Sequence, residues 1–215
     1  MGMTPRMIRK TFSVPPLGCN CSIIGDPVTK QAIVVDPGGA PERILREVQQ
    51  LGLTVTHILH THAHLDHFLA SGDMKKATGA TLCLHHDDLD LWKMLEVQCE
   101  LFGVAYVPVP LPDYWLKDEE KLLIGQVSVV ALHTPGHTRG SMSFHFPSDK
   151  LVLAGDTLFR GSIGRTDLWG GDFDTIEQSI RERLYSLDDA TIVVTGHGPE
   201  TEIGIEKETN QFVRL

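Results

Sequence analysis

A chain of 215 residues sits at the upper end of single-domain size and can bury a large core; 41% hydrophobic and 22% charged residues make it an ordinary globular composition. The formal net charge of −9 speaks against a nucleic-acid partner, whose phosphates need a basic face, and against a polybasic membrane anchor. Residues Met1 to Lys10 are basic, but Thr11 to Leu17 is too short and too proline-broken for a signal sequence, and ten residues are too few for an import leader. No apolar run reaches membrane-spanning length. Four cysteines, Cys19, Cys21, Cys83 and Cys99, read as buried thiols of a reducing compartment. Cys19 and Cys21 share one face of a strand, where a bridge between them would be badly strained. The expectation is a cytoplasmic protein with no nucleic-acid or membrane partner. No linker or low-complexity tract divides the sequence, so a single domain over 1–215 is expected; nothing in it fixes the oligomeric state.

In chain order, strands are predicted at Ile8 to Val14, Cys19 to Gly25 and Gln31 to Val35, then a turn at Asp36-Pro37-Gly38-Gly39 and a helix over Pro41 to Leu51. The apolar, β-branched run Val55 to Leu59 predicts a buried strand, and Leu65 to Thr78 an amphipathic helix. A short strand at Thr81 to Leu84 and a helix over Asp87 to Leu101 follow. Tyr106 to Trp115, rich in proline and aromatics, reads as an irregular loop that either walls a pocket or stiffens the surface. Further strands are predicted at Leu122 to Ile124, Gln126 to Leu132, Ser141 to Phe146 and Leu151 to Ala154. A helix over Asp174 to Ser186, a strand at Thr191 to Thr195 and a last helix near Thr201 to Thr209 complete the chain. Strands precede helices in each half, which suggests two sheets packed face to face with helices outside.

The most informative stretch lies between the Val55 strand and the helix after it: His62, His64, Asp66 and His67 fall within six positions. If the chain stays extended past the strand, His62 and His64 project to one side, while Asp66 and His67 open the helix. Imidazole and carboxylate together suit zinc, iron or manganese better than calcium or magnesium. Three more candidate ligands sit in glycine-flanked turns after strands: His137 in His133-Thr-Pro-Gly-His-Thr138, Asp156 in Gly155-Asp-Thr157, and His197 in Gly196-His-Gly-Pro199. Strand-end loops are where scaffolds present functional groups. These seven ligands divide into two metal sites: His62, His64 and His137 for one ion, Asp66, His67 and His197 for the other, with Asp156 shared. Each ion would keep an open position, as catalytic sites must. His57, His60, His133 and His145 lie in predicted strands and are read as packing residues, and His85-His86-Asp87-Asp88 as an exposed helix start.

The sequence resembles the metallo-β-lactamase superfamily over nearly its whole length, on Asp36-Pro37-Gly38, the His-x-His-x-Asp-His run at His62 to His67, Pro135-Gly136-His137-Thr138, Gly155-Asp156 and Gly196-His197. The resemblance implies an α/β (α+β) fold, the four-layer αββα sandwich, with two divalent metals at one edge of the sheets; zinc is the first choice, iron and manganese the others. Within the superfamily the chain looks most like short, single-domain relatives of glyoxalase II (hydroxyacylglutathione hydrolase), on Gly155-Asp-Thr-Leu-Phe159, Gly161-Ser-Ile-Gly-Arg-Thr-Asp167 and the Gly-His-Gly-Pro ending at Pro199. That likeness implies hydrolysis of an acyl thioester, S-lactoylglutathione or a relative, by a hydroxide bridging the two metals. Asp66 would position the hydroxide as well as ligate, and Arg165 would match the basic residue that contacts glutathione.

Two departures accompany the resemblance. Full-length glyoxalase II has a C-terminal helical domain that completes the glutathione site, which this chain, ending at Leu215, is expected to lack. Asp167 falls where an aromatic contact is usual, and Arg165 has Asp167 and Asp172 near it as ion-pair partners instead. Asp156 argues against a true class B β-lactamase, and the absence of an inserted nucleic-acid-binding domain argues against a nuclease. The competing readings are a persulfide dioxygenase using one Fe(II) on His62, His137 and Asp156, and a non-enzymatic metal-binding protein. The Gly196-His-Gly-Pro199 ending favours the hydrolase over the dioxygenase, and the complete ligand set speaks against a degenerate, non-enzymatic member.

Overall fold

The computed structural model describes residues 7–215, so the basic start of the chain lies outside the described residues as far as Arg6. Strands β1 (Ile8–Val14), β2 (Cys19–Gly25) and β3 (Gln31–Val35) form an antiparallel meander. Helix α1 (Pro41–Gln50) then returns the chain to β4 (Thr54–Leu59), which runs parallel to β3. Helices α2 (Leu65–Phe68) and α3 (Ser71–Thr78) lead to β5 (Thr81–His85); a 3-10 turn at His86–Asp88, α4 (Leu89–Lys93) and α5 (Leu95–Phe102) lead to β6 (Tyr114–Leu116). These strands form one sheet in the order β1-β2-β3-β4-β5-β6.

The second sheet takes β7 (Glu120–Ile124), β8 (Val127–His133), β9 (Met142–Phe146) and β10 (Leu151–Gly155) as antiparallel neighbours. A small hairpin, β11 (Leu158–Phe159) and β12 (Ser162–Ile163), and helix α6 (Phe173–Ser179) follow. Strand β13 (Ile192–Thr195) lies parallel to β10; β14 (Thr201–Glu202) adds an edge, and α7 (Ile203–Thr209) covers it, giving the order β14-β13-β10-β9-β8-β7.

Strand alternation places the core. Ile24, Ile33, Val35 and Leu59 of the first sheet meet Val129, Ala131, Phe144 and Leu153 of the second in the layer between the sheets. Their chain neighbours Ile23, Val34 and Ile58 face the other way, under Ile44, Val48, Met74 and Trp92 of the first helical layer. Val152, Ala154 and Val193 likewise pack outward on Ile176, Ile180, Leu184 and Ile203. Three apolar layers thus hold four layers of secondary structure, the expected αββα arrangement.

Several predicted elements end differently, each for a local reason. The helix expected over Leu65 to Thr78 is two helices, because Ala70 donates its N–H to the Pro37 carbonyl (3.0 Å) instead of up its own helix. The helix expected over Asp87 to Leu101 breaks at Met94, after opening in a 3-10 turn. The helix expected to run to Ser186 widens into a π turn at Ile180–Leu184. The Tyr106 to Trp115 segment is irregular as far as Asp113 and takes the surface role: Pro110 accepts from the Trp92 indole (3.2 Å), and Tyr114 onward joins the sheet as β6. All four cysteines are buried and unbridged. Among the described residues no helix is long and apolar enough to cross a membrane.

Candidate metal centre

The loop after β4 leaves the sheet extended, with His64 at φ −79° and ψ 142°, and the imidazoles of His62 and His64 meet edge to face at 4.8 Å. The first turn of α2 then adds Asp66 and His67 from the side. His137 follows β8, Asp156 follows β10 and His197 follows β13, three strands that run the same way, so the second sheet delivers its three groups at one edge. All seven predicted residues converge. Ligand atoms of His62, His64 and His137 lie within 4.8 Å of one another, and so do those of Asp66, His67 and His197; a third set, His62, His67 and Asp156, joins the two. Asp156 sits between them, Oδ1 3.4 Å from His67 Nε2, and Oδ2 3.6 Å from His137 Nε2 and 3.7 Å from His197 Nε2.

The spacing fits nitrogen and oxygen ligands sharing an ion. His64 Nδ1 and His137 Nε2 are 2.9 Å apart, His67 Nε2 and His197 Nε2 3.3 Å, and His197 Nε2 and Asp66 Oδ2 3.2 Å. Two ligands at about 2.0–2.1 Å from a tetrahedral ion stand about 3.3 Å apart. Among the described residues His62 Nε2, His64 Nε2 and Asp156 Oδ1 are buried with no hydrogen-bond partner. Such groups are rarely left unsatisfied, and a cation accounts for His62 Nε2 and Asp156 Oδ1; His64 faces His137 through Nδ1, the nitrogen placed to share the ion. Burial, with the neighbouring imidazoles, pushes His62 and His64 well below the usual histidine pKa, so they are neutral and can offer lone pairs. Burial alone would raise the Asp66 carboxyl; His67 and the hydrogen bond from His197 hold it below the usual carboxylate range instead.

A ring of supporting residues fixes which nitrogen faces inward. Asp36, 2% exposed, accepts from the Thr61 N–H (2.7 Å), the Thr61 hydroxyl (2.6 Å) and His67 Nδ1 (3.0 Å). With its hydroxyl hydrogen committed to Asp36, Thr61 Oγ1 accepts from His62 Nδ1 (3.0 Å). One carboxylate therefore leaves Nε2 of both His62 and His67 as the inward lone pair. His137 Nδ1 donates to the Arg165 carbonyl (2.8 Å) to the same end. Asp88, 1% exposed, ties the two halves of the site together by accepting from Ala63 N (2.9 Å), Thr138 Oγ1 (2.8 Å) and Gly140 N (2.7 Å). Gln98 accepts from Leu65 N (2.9 Å) and donates to the Ala63 carbonyl (3.1 Å). Asn20 donates to the Thr195 and Gly198 carbonyls, both at 2.9 Å, and so holds the His197 turn. Backbone approach is close: a Cβ on Gly38 would lie 1.5 Å from the Asp66 carbonyl oxygen, and one on Gly196 1.8 Å from Asp156 Oδ1.

From sequence, Asp36 reads as a turn residue and as part of the family motif but not as a support for the ligands, and Asp88 as part of an exposed helix start, where burial contradicts it. Asp36 does follow a buried strand, the cue that found the other site residues. Gln98, inside a helix, carries no such cue. His60 packs as expected, fully buried between the Cys83 carbonyl (2.8 Å) and Ser71 Oγ (2.7 Å); burial lowers its pKa to about 4. His85 and His133 stack at 4.2 Å, but His85 Nδ1 already accepts from Asp87 N (3.3 Å) and His133 Nε2 donates to the Arg139 carbonyl (2.8 Å).

A cleft of about 170 Å³ opens over His64, Asp66, His137, Asp156 and His197, walled by Leu17, Phe102, Leu168 and Arg165. A larger cavity of about 460 Å³ lies beside Met7, Asp26 and Lys150 and touches none of them. Arg165 reaches the cleft, but its guanidinium is held by Asp167 through Nε–Oδ1 (2.7 Å) and Nη2–Oδ2 (2.8 Å). Asp172 instead caps α6, accepting from Thr175 N (2.8 Å).

The chain belongs to the metallo-beta-lactamase superfamily, whose family model matches residues 14–197. It is 39% identical over 196 residues to the hydroxyacylglutathione hydrolase GloC of Haemophilus influenzae, covering 90% of this chain and 92% of that one. Among solved structures it is similar to the BLEG-1 B3 metallo-beta-lactamase (34% identity, TM-score 0.89, 96% of this chain and 99% of the other). It is similar also to TTHA1623 in a di-iron-bound form (36% identity, TM-score 0.87, 95% and 100%). The family and the clustered His and Asp side chains together make this a metal-dependent hydrolase fold.

Proposed function

We propose that the chain hydrolyses an acyl thioester with two divalent metals, held by His62, His64 and His137 on one side and by Asp66, His67 and His197 on the other, with Asp156 between them. The observation that carries this reading is the joining of two ligand clusters through Asp156, with His62 Nε2 and Asp156 Oδ1 buried and unpartnered among the described residues. The likeness to GloC over nine-tenths of both chains supports the thioester class. Zinc suits the His and Asp donors, and iron and manganese accept the same set; the di-iron form of TTHA1623 supports iron. Bound there, two such ions would lower the pKa of a water to near neutrality and polarise the substrate carbonyl.

The protein's own groups do the positioning. Asp36, directly and through Thr61, and the Arg165 carbonyl take up Nδ1 of His67, His62 and His137 and so turn Nε2 of each ring inward. Asp66 stays ionised and faces both His197 and the cleft, where it can hold and orient the attacking water. A thiolate leaves readily, so the reaction requires no strong general acid.

The likeness to BLEG-1 favours a second reading, β-lactam hydrolysis by the same residues. The test is anaerobic turnover by zinc-reconstituted protein of thioesters and, separately, of a chromogenic β-lactam, with a His197→Ala control. Thioester loss that collapses in the variant is the expected result. Turnover of the β-lactam alone would replace the reading with the second one. Inactivity on both, with oxygen-dependent consumption of a persulfide by protein holding one iron per chain, would replace it with the dioxygenase on His62, His137 and Asp156.

A further inference from the structure

The cleft wall carries a specificity element that the metal residues do not explain. Arg165 is the one cation among the described residues lining the cleft. Both oxygens of Asp167 occupy its guanidinium edge, in the side-by-side geometry that a substrate carboxylate would adopt. Asp167 stays ionised throughout the physiological range, its pKa lowered to about 2 by that hydrogen bond to Arg165. The rest of the wall is apolar: Leu17 and Phe102 are each 46% exposed, and Leu168 adjoins Arg165. A chain of net charge −9 adds no attraction for an anion.

Resting on the thioester reading, we propose that Asp167 is an internal competitor for Arg165, and that the cleft takes thioesters whose thiol arm is neutral and apolar in preference to glutathione thioesters. A glutathione arm brings two carboxylates and must displace Asp167 to reach the guanidinium. A neutral arm lies against Leu17, Phe102 and Leu168 and leaves the Arg165–Asp167 pair intact. The pair is exposed, with side chains 55% and 69% accessible, so displacing it costs little and the discrimination is modest.

The experiment compares S-lactoylglutathione with the lactoyl thioester of N-acetylcysteamine, which is neutral, on the metal-loaded wild type and on Asp167→Ala and Asp167→Asn. In the wild type the neutral thioester should show the higher kcat/KM. Both variants should lower KM for S-lactoylglutathione by about three- to fivefold, the scale of an exposed ion pair, with KM for the neutral thioester moving less than twofold. Calorimetric binding of S-hexylglutathione, which cannot be hydrolysed, should tighten by the same factor in both variants. A wild-type preference for S-lactoylglutathione, or unchanged KM and binding in both variants, would overturn the proposal while leaving the hydrolase reading standing. Turnover of neither thioester by protein with two metals per chain would overturn both.

Discussion

In the floor of the cleft, His62, Asp66, His67 and His137 are at most 4% exposed. Each inward-facing ring there is held from behind by Asp36, Thr61 or the Arg165 carbonyl. On the wall, Arg165 and Asp167 hold each other in solvent, and Leu17 and Phe102 stand almost half exposed. The floor is over-determined because several neutral and charged donors must be kept within bonding distance of shared cations, and a misplaced ligand weakens binding sharply. The wall pair stands in solvent, its side chains 55% and 69% accessible. Chemistry is therefore written into buried geometry, and substrate choice into an exposed pair.

The largest effect that would break this contrast belongs to the floor. Asp156→Ala removes the group that faces His67, His137 and His197, and should lower activity by about a thousandfold or more, several kcal/mol of activation. Metal analysis should show at least one ion per chain lost. Full activity with normal metal content would show that Asp156 does not join the clusters. One layer back, Asp36→Asn replaces a carboxylate that accepts three hydrogen bonds with an amide that has one acceptor oxygen. Metal affinity should fall about 10–100-fold, read by competition with a chromogenic chelator; unchanged affinity would make Asp36 a turn residue only.

Asp88→Ala sharpens the comparison on stability rather than chemistry. It leaves the Ala63 and Gly140 N–H groups and the Thr138 hydroxyl without their acceptor, at roughly 3–5 kcal/mol. Thermal unfolding should come down by about 10 °C. A shift under about 2 °C would mean that the two halves of the site do not depend on this tie.

The smallest effect lies far from the cleft, at Asp26, which accepts from Val28 N (2.9 Å), Thr29 Oγ1 (2.7 Å) and Gln126 N (2.9 Å) and joins the β2–β3 turn to the second sheet. The backbone hydrogen bond from Val28, then the one from the Thr29 hydroxyl, lowers its pKa to about 2. A depressed folded-state pKa contributes stability above the unfolded value near 3.8 and loses it as pH falls toward 2. With chelator present throughout, the stability gap between wild type and Asp26→Asn should be present at pH 5 and shrink by pH 3. A gap that is constant with pH would contradict the assignment.

The floor was legible because ligand chemistry restricts residue types: four candidate ligands in six positions after a buried strand, with three more at later strand ends, are hard to place anywhere but around a metal. The strands were legible for the same reason that the core is layered, since Ile23 and Ile24 must face opposite sides. Helix ends were less so. The break after Phe68 depends on the Pro37 carbonyl taking the Ala70 N–H, a contact between segments some thirty residues apart. Asp88 reads as surface because its partners, Ala63 and Gly140, are remote in sequence. The sequence leaves Arg165 with either Asp167 or Asp172 as its partner, because both are near in sequence; in the fold only Asp167 is turned toward it.

Two-metal thioester hydrolysis is tested most directly by titrating metal-free protein with zinc from zero to two equivalents under argon, while following thiol release from both lactoyl thioesters. Turnover should follow the filling of both sites and be complete at two ions per chain. Full turnover at one ion, or none at two, would contradict it.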